Sequence, residues 1–295
     1  MSTLKKQPQD LRKPRNSRQT PTSHLPSSRS RTTRRTFLLR TSGVLAGAAL
    51  GGEYLAPNIT SLSVPPAFAS TSPFPQFGYV GALLNLAGYW KLNDGFGFTA
   101  KDSSGNDNHG ILLGNPTWSA DGLDFNSPGS AVRIPLASDL NNLDTLSVAM
   151  WFYADSTGQA GKGRFISKYN SFGLRFSNRR SMIYFVANRW SDIGGKWRVR
   201  SLDGASLLGV WHHLVVTYKY SSPGRQPKMY LDGQRLPEVQ TIRRPVGMLE
   251  DDPTPIYIGN RDSLNRTFFD GRISDVRVYP HILRDHEIAH LFAGS

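Results

Sequence analysis

The sequence predicts an all-β fold, an antiparallel β-sandwich that ends in a short C-terminal helix. Between residues 87 and 279, short apolar or alternating runs are separated by turn residues, which is the pattern of such sandwiches. In the segment 146–152 every second residue is large and apolar, so these side chains share one face of a strand. Asp232-Gly233 lies between two extended runs and accepts the positive φ angles that a two-residue hairpin turn requires.

Twelve strands and one helix follow from these patterns. The helix is predicted around residues 284–292, where Ile288 and Phe292 lie four residues apart and therefore share a face. The predicted strands are Gly88–Leu92, Leu123–Phe125, Ala131–Ile134, Leu146–Tyr153, Arg164–Lys168, Phe172–Phe176, Met182–Val186, Trp197–Ser201, Val210–Lys219, Lys228–Leu231, Ile256–Ile258 and Ile273–Tyr279.

The formal net charge of +13 is concentrated at the N-terminus. Residues 1–69 contain 11 Lys/Arg and 2 Asp/Glu, a net of +9, which leaves 24 and 20, a net of +4, for the remainder. The remainder is therefore only mildly basic and has no basic run or motif of a nucleic-acid-binding protein, so we expect no nucleic-acid partner. The chain has no cysteine, which excludes disulfides, thiolate metal sites and cysteine nucleophiles.

The N-terminal segment resembles a twin-arginine export signal. Arg34-Arg35 follows a threonine and is followed, after one variable residue, by Phe37-Leu38. The apolar stretch that comes next has about 12 uncharged residues before Glu53, which is too short for a stable membrane span of roughly 20. This predicts export by the twin-arginine machinery and a periplasmic, cell-surface or secreted location.

A cleavage site and the domain boundaries follow. Ala67-Phe68-Ala69 matches the small-x-small pattern, so we expect cleavage between Ala69 and Ser70 and no stable membrane span afterwards. The alternatives are a signal retained as an anchor, or a basic tail followed by a buried helix. We therefore divide the chain into a signal segment with a disordered basic N-region (1–69), a linker rich in Pro and Gly (70–86) and one sandwich domain (87–295).

Several motifs follow one another in a fixed order along the chain. They are Gly88–Gly95, the loop Asp102–Gly110, the Trp-His-His strand Val210–Tyr218, the hairpin Met229–Gly233, the last strand Phe269–Tyr279 and the terminal helix Leu283–Phe292. Together these motifs resemble the laminin-G-like, concanavalin A-like jelly-roll family. The resemblance covers roughly residues 88–292, and it implies a jelly roll but no particular activity, because this fold carries many functions.

The loop Asp102–Gly110 is a candidate calcium site. It is rich in Asp and Asn, and Ca²⁺ prefers carboxylate, amide and backbone oxygens. The family resemblance implies a structural Ca²⁺ that joins this loop to an acidic residue of the last strand, which gives Asp102, Asn108 and Asp275 as ligands. The alternative is an Asx turn, in which the side chains bond their own backbone.

Two further groups of residues invite a functional interpretation. Trp211, His212 and His213 are consecutive on one strand, so adjacent side chains point to opposite faces, and we expect a core tryptophan and a histidine that bonds a backbone group. His109 is expected to close its own turn.

Arginine and tryptophan are frequent between residues 164 and 200. Indole rings stack on sugars, and guanidinium groups bind acidic sugars through paired hydrogen bonds. We therefore take Trp190, Trp197, Arg198 and Arg175 as candidate ligand-binding residues; the alternative is an ordinary solvated sheet face. The neighbouring basic residues are Arg164, Lys168, Arg179, Arg180 and Arg200.

No catalytic signature is present. The Glu-x-Asp-x-x-Glu pattern of β-glucanases is absent. Glu250 and Asp252 match its first two positions, but Pro255 occupies the position of the second glutamate. We expect an exported, non-catalytic carbohydrate-binding or adhesion module whose partner is an extracellular or envelope glycan, acidic or neutral. The alternatives are a structural or assembly component of the cell envelope, or a glycan-cleaving enzyme.

Overall fold

The computed structural model describes residues 85–294, except 178–182, 200–203, 223, 225, 238, 263, 265 and 266. Within these residues two antiparallel sheets enclose a common core, and one helix follows the last strand. The predicted all-β sandwich with a C-terminal helix is confirmed. The signal-segment residues Arg34, Arg35, Ala69 and Ser70 lie outside the described residues.

The described part contains seventeen strands, one α-helix and three short 3-10 helices. The 3-10 helices are Ser138–Leu140, Gln159–Gly161 and Gly204–Leu207, and the α-helix α1 is Asp285–Ala293. The strands are β1 (Gly88–Trp90), β2 (Thr99–Ala100), β3 (Gly110–Leu113), β4 (Thr117–Ser119), β5 (Gly122–Asp124), β6 (Ala131–Ile134), β7 (Thr145–Ala154), β8 (Arg164–Lys168), β9 (Phe172–Phe176), β10 (Ile183–Ala187), β11 (Gly195–Val199), β12 (Trp211–Lys219), β13 (Lys228–Leu231), β14 (Gln234–Arg235), β15 (Val239–Arg243), β16 (Ile256–Ile258) and β17 (Gly271–Tyr279).

The two sheets differ in strand order. The first sheet runs β14-β13-β12-β7-β17-β5-β4, with β1 also paired to β17. The second sheet runs β15-β11-β10-β9-β8-β16-β6-β3-β2. Each predicted strand overlaps an observed one. Five observed strands were not predicted: β2, β3, β4, β14 and β15. Of these, β2, β4 and β14 have only two or three residues, too few to show an alternating pattern.

The core lies between the sheets and follows the predicted alternation. Leu146, Val148, Met150 and Phe152 of β7 all belong to it. The Phe152 ring lies 4.8 Å from that of Phe165 on the opposite sheet. Because β7 is central in its sheet, this stripe joins the two layers of the sandwich.

Helix α1 covers the outer face of the first sheet. Its residues Ile288 and Leu291 pack against Val215 and Tyr230, and the Phe292 ring stacks on Trp151 with centroids 5.6 Å apart. The helix begins after Arg284, whose backbone N–H donates to the Glu287 carboxylate at 2.7 Å. Among the described residues, no helix is long and apolar enough to cross a membrane.

A buried charge network joins three loops to strand β8 of the sandwich. Lys168 Nζ lies 3.0 Å from the Asp252 carboxylate, and both side chains are almost fully buried. The other carboxylate oxygen of Asp252 lies 3.7 Å from Arg189 Nε, while the Asn142 backbone N–H donates to Asp252 at 2.7 Å. Burial lowers the pKa of Lys168, and Asp252 opposes that effect. The network therefore depends on the negative charge of Asp252.

We predict that Asp252→Asn destabilises the domain by about 3–5 kcal/mol, because it leaves the buried Lys168 charge without a counterion. The measurement is urea unfolding at neutral pH, read as a lower midpoint at an unchanged slope. The matched control is Asp251→Asn, since Asp251 is exposed. Equal midpoints for the two variants would contradict the structural role of the ion pair.

Candidate functional site

The outer face of the second sheet gathers basic side chains from four neighbouring strands. Antiparallel pairing places Arg164 opposite Arg175, Arg175 opposite Tyr184, and Tyr184 opposite Arg198. Lys196 lies two residues before Arg198 and so shares its face. We call these five residues the basic face.

Side chains of the basic face are ordered by contacts with one another and with the backbone. The Arg175 guanidinium lies 4.9 Å from the centre of the Tyr184 ring, and Lys196 Nζ lies 5.2 Å from it. Arg198 Nε donates to Gln240 Oε1 at 2.7 Å. The four cations are half-buried and Tyr184 is buried, so the site is partly desolvated.

The Arg164 guanidinium lies above a glycine of β9. A Cβ at Gly173 would lie 2.9 Å from Arg164 Nη1, so a larger residue there would displace the end of this side chain. Arg164 Nε also donates to Thr267 Oγ1 at 3.2 Å.

The basic face carries uncompensated positive charge. Burial, followed by the charges of Arg261 and Arg175, lowers the pKa of Arg164 to about 10. Burial is also the main cause that lowers the pKa of Arg175 and that of Lys196. No ion pair joins the four cations to a carboxylate of the described residues.

The central tyrosine responds to this charge. Burial raises the pKa of the Tyr184 hydroxyl, but hydrogen bonds with Ser177 and Arg198 outweigh it, together with the nearby positive charges. The pKa of Tyr184 is lowered on balance. A group at this position that carries negative charge is therefore stabilised.

The two predicted tryptophans do not form an exposed stacking platform. Trp197 is 1% exposed and its ring lies 5.0 Å from Tyr218 in the core, while Trp190 is 9% exposed. Neighbours on a strand point to opposite faces, so an outward Arg198 requires an inward Trp197. The predicted ligand role of Trp190 and Trp197 as exposed rings is therefore wrong.

The predicted basic residues do not all lie together. Arg164, Arg175 and Arg198 lie on the basic face, where the last two flank Tyr184. Lys168 belongs to the buried charge network. The remaining three, Arg179, Arg180 and Arg200, lie outside the described residues. Sequence reasoning missed Tyr184 and Lys196, although strict alternation about Phe185 and Trp197 would have placed both outward.

The predicted calcium loop is organised around one carboxylate. Asp102 accepts hydrogen bonds from the backbone N–H groups of Tyr89, Ser104 and Asn108 at 2.8–2.9 Å, and from the Ser104 hydroxyl at 2.7 Å. The Ser104 N–H bond closes an Asx turn, which is the alternative interpretation. Four accepted bonds use the acceptor capacity of a carboxylate. His109 closes the same turn, since its Nδ1 accepts from the Asp102 N–H at 3.1 Å.

The other two proposed ligands bond protein groups. The Asn108 side chain donates to the Ala87 carbonyl at 2.9 Å. Asp275 has a positive φ of 59°, and its carboxylate accepts from Arg277 at 3.1 Å. In the described part of the chain, no three His, Cys, Asp or Glu residues form a group that could hold a metal. A calcium ion shared by Asp102, Asn108 and Asp275 stays a prediction.

The Trp-His-His strand holds its histidines with a hairpin carboxylate. Asp232 Oδ2 lies 2.7 Å from His212 Nδ1, and Asp232 Oδ1 accepts from the His213 backbone N–H at 2.8 Å. His212 therefore bonds a carboxylate at the shorter distance, and its Nε2 also lies 3.4 Å from the Ser206 backbone carbonyl, which is a backbone partner of the expected kind. Trp211 is fully buried as expected, 5.8 Å from the Tyr153 ring. The His212 side chain and the His213 backbone N–H therefore attach the hairpin to strand β12 through Asp232.

We predict that Asp102→Asn lowers the free energy of unfolding by about 1–3 kcal/mol, with or without calcium, because an amide leaves buried loop donors unpaired. The measurement is thermal and urea unfolding in EDTA and in Ca²⁺. The control is Asp107→Asn in the same loop, since the Asp107 side chain is 92% exposed.

The same unfolding series tests the calcium prediction. A bound ion would make the wild-type melting temperature fall in EDTA and recover with Ca²⁺, by an amount equivalent to about 2.7 kcal/mol at a hundredfold excess over Kd. An unchanged wild-type curve, with metal-free protein by elemental analysis, would reject the ion.

Solved structures similar to this chain include binding domains of botulinum neurotoxins and of Paraclostridial Mosquitocidal Protein 1. The botulinum neurotoxin serotype D ligand binding domain in complex with N-acetylneuraminic acid has a TM-score of 0.55 at 14% identity, over 74% of this chain and 53% of that one. A structure described under the dependence of botulinum neurotoxin type C cell entry on two ganglioside molecules has a TM-score of 0.54 at 11% identity, over 72% and 52%. The binding domain of Paraclostridial Mosquitocidal Protein 1 has a TM-score of 0.52 at 14% identity, over 70% and 52%.

These similarities concern the fold alone, since all identities are below 25%, and the chain spans about half the length of those solved chains. No curated protein matches the chain. A family model of the concanavalin A-like lectin/glucanases superfamily, in its laminin G group, matches residues 126–289. This match covers more than half of the chain, and the protein therefore belongs to that superfamily.

Proposed function

We propose that this protein is an exported, non-catalytic carbohydrate-binding or adhesion module, and that its basic face binds an extracellular or envelope glycan. The observation that carries the proposal is the set of three ordered cations around Tyr184, namely Arg175, Lys196 and Arg198, without a carboxylate partner among the described residues. Arg164 extends this positive charge on the neighbouring strand β8.

The chemistry of the basic face suits sugar recognition. Guanidinium groups offer several donors in a planar array that matches carboxylates and paired oxygen acceptors. Arg175 and Arg198 flank Tyr184 on neighbouring strands, so their donors address one ligand from two sides. Half-burial strengthens these bonds relative to those of fully exposed arginines.

The superfamily and the similar solved structures support the proposal without establishing it. The superfamily includes lectins and glucanases by its description. Of the similar structures, one contains N-acetylneuraminic acid, and another concerns a toxin that interacts with gangliosides. Those ligands belong to those proteins, and for this chain they indicate which glycans to include in a test.

A structural or assembly role in the envelope is the second candidate. Phe96 and Phe98 are each 81% exposed on one loop, which favours a contact with another macromolecule.

Glycan cleavage is the third candidate, although Glu287 caps helix α1 and Glu250 lies on an exposed loop.

We predict weak binding to polysaccharides, with Kd on the order of 10 µM to 1 mM, because ordering a flexible sugar offsets much of the contact energy. Lys196→Ala/Arg198→Ala should weaken binding at least tenfold in a pulldown and titration panel that includes sialylated glycans. The control is Lys228→Ala/Arg235→Ala, two exposed cations of the first sheet.

Three outcomes separate the candidates. Binding of no polysaccharide on the panel would favour the structural role. Binding that survives the Lys196/Arg198 change would contradict the proposed location. Release of soluble sugar from any bound polysaccharide would establish the enzyme.

Export is proposed on the sequence motif. We predict that replacing Arg34-Arg35 by Lys-Lys abolishes export, because charge is retained but the recognised side chains are lost. The measurement is the distribution of the protein between cytoplasm and exported fractions, with N-terminal sequencing for cleavage between Ala69 and Ser70. Normal export of the Lys-Lys variant would contradict the twin-arginine interpretation.

A further inference from the structure

We infer that the ligand of the basic face is a linear anionic polysaccharide that lies across strands β8–β11, with its carboxylate or sulfate groups held by Arg164, Arg175 and Arg198. This inference rests on the proposed function and specifies the class of glycan and its direction on the sheet.

The register of the strands sets the direction. Arg164, Arg175, Tyr184 and Arg198 are successive cross-strand partners, so they form one row perpendicular to the strands. Neighbouring strands are about 4.8 Å apart, which places the backbones of Arg175 and Arg198 about 10 Å apart with Tyr184 between them. Charges spaced in this way match a chain with repeated anionic groups better than a single small anion.

Within the row, two arginines repel one another. Like charges directly opposite each other on paired strands are destabilising, and Arg164 and Arg175 are such a pair. Both side chains are half-buried. Among their described neighbours, the carboxylate of Asp262 raises the pKa of Arg164, but it is the weakest of the causes that shift this pKa. An anionic ligand would remove this repulsion, whereas a neutral glycan would leave it in place.

Ordering of the side chains favours a bound anion further. Arg164 is held by a hydrogen bond to Thr267, and Arg198 by one to Gln240. Because these side chains are already restricted, they lose less conformational entropy when they bind an anion than mobile surface arginines would lose.

The environment of Tyr184 favours a glycan ligand over a nucleic acid. Single-stranded nucleic acids bind through aromatic side chains on which bases stack, together with a basic groove. Tyr184 is 7% exposed, and two cations lie against its ring, so it offers no free face to a base. The row presents charge and hydrogen-bond donors without a stacking surface.

The test compares three polymers with one backbone: amylose, carboxymethyl-amylose and amylose sulfate of matched length. We expect both charged polymers to bind the full chain at least tenfold more tightly than amylose at low salt, with affinity that falls as salt rises. The better of the two identifies the anionic group. Arg175→Gln/Arg198→Gln should lose at least tenfold in affinity for the charged polymers and flatten the salt dependence.

Two controls separate binding from folding. Lys228→Gln/Arg235→Gln makes the same change of charge on the first sheet and should bind like the wild type. Arg164→Met should weaken binding without lowering the melting temperature, because it removes a repelled charge and keeps the apolar stem; a lower melting temperature would assign Arg164 a structural role and overturn its place in the row.

Several results would overturn the inference. Equal binding of amylose, lost in Arg175→Gln/Arg198→Gln, would leave the proposed function intact and contradict the anionic ligand. Binding of a sulfated disaccharide as tight as that of the polymer would contradict the path across the strands. Competition by polyphosphate or single-stranded DNA as strong as that by amylose sulfate would reduce the site to a general polyanion surface.

Failure of the inference can be distinguished from failure of the proposed function. If none of the three polymers binds while a neutral glycan of another backbone does, the inference fails alone. If no glycan binds, the proposed function fails with it.

Discussion

Alternation of side chains along the antiparallel strands of the second sheet is the constraint on which both the core and the candidate site depend. Phe185 and Trp197 point into the core, so Tyr184 and Arg198, one residue away, must point outward. A slip of one residue in this register would bury the arginines and expose the aromatic core. The stability of the sandwich and the geometry of the basic face are therefore set by the same pairing.

Polar groups buried at the rim of the sandwich hold the loops that connect this framework. Asp252 joins segments around residues 142, 168 and 189 through Lys168 and Arg189. Asp102 joins its loop to β1 through the Tyr89 N–H and closes the loop through three further hydrogen bonds. In both cases one carboxylate satisfies several donors that would otherwise be buried without partners. With no cysteine in the chain, such carboxylates take the part that disulfides play in many exported domains.

The basic face carries a local cost in stability, which the proposed ligand would offset. A sheet optimised only for stability would alternate charges of opposite sign across its strands. Here Arg164 faces Arg175, and burial with neighbouring charge lowers the pKa of Arg164 to about 10. Natural domains tolerate such local costs when a ligand uses them, and the large apolar core of this sandwich supplies the stability that offsets them.

Strand positions, the hairpin at Asp232-Gly233 and the terminal helix could be predicted because period-two and period-3.6 patterns are local properties of the chain. The two-residue β2 escaped prediction because its pairing with β3, and not its own pattern, defines it. Composition likewise distinguished a strongly basic N-terminal segment from a mildly basic remainder before any fold was considered.

The site was predictable only in part, for a physical reason. Sequence identified Arg175 and Arg198 as ligand-binding candidates, but it also named Trp190 and Trp197, because aromatic residues serve equally as core and as sugar platforms. Which of these uses applies depends on the face that each strand turns to the opposite sheet. Likewise the loop around Asp102 has a composition suited to calcium. The contacts of Asp102 with Tyr89 and Asn108, however, arise only when β1 pairs with this loop through Trp90. By itself the sequence determined the elements and their order; only the tertiary structure decided which side chains face solvent together, because cross-strand register brings residues distant in the chain onto one surface.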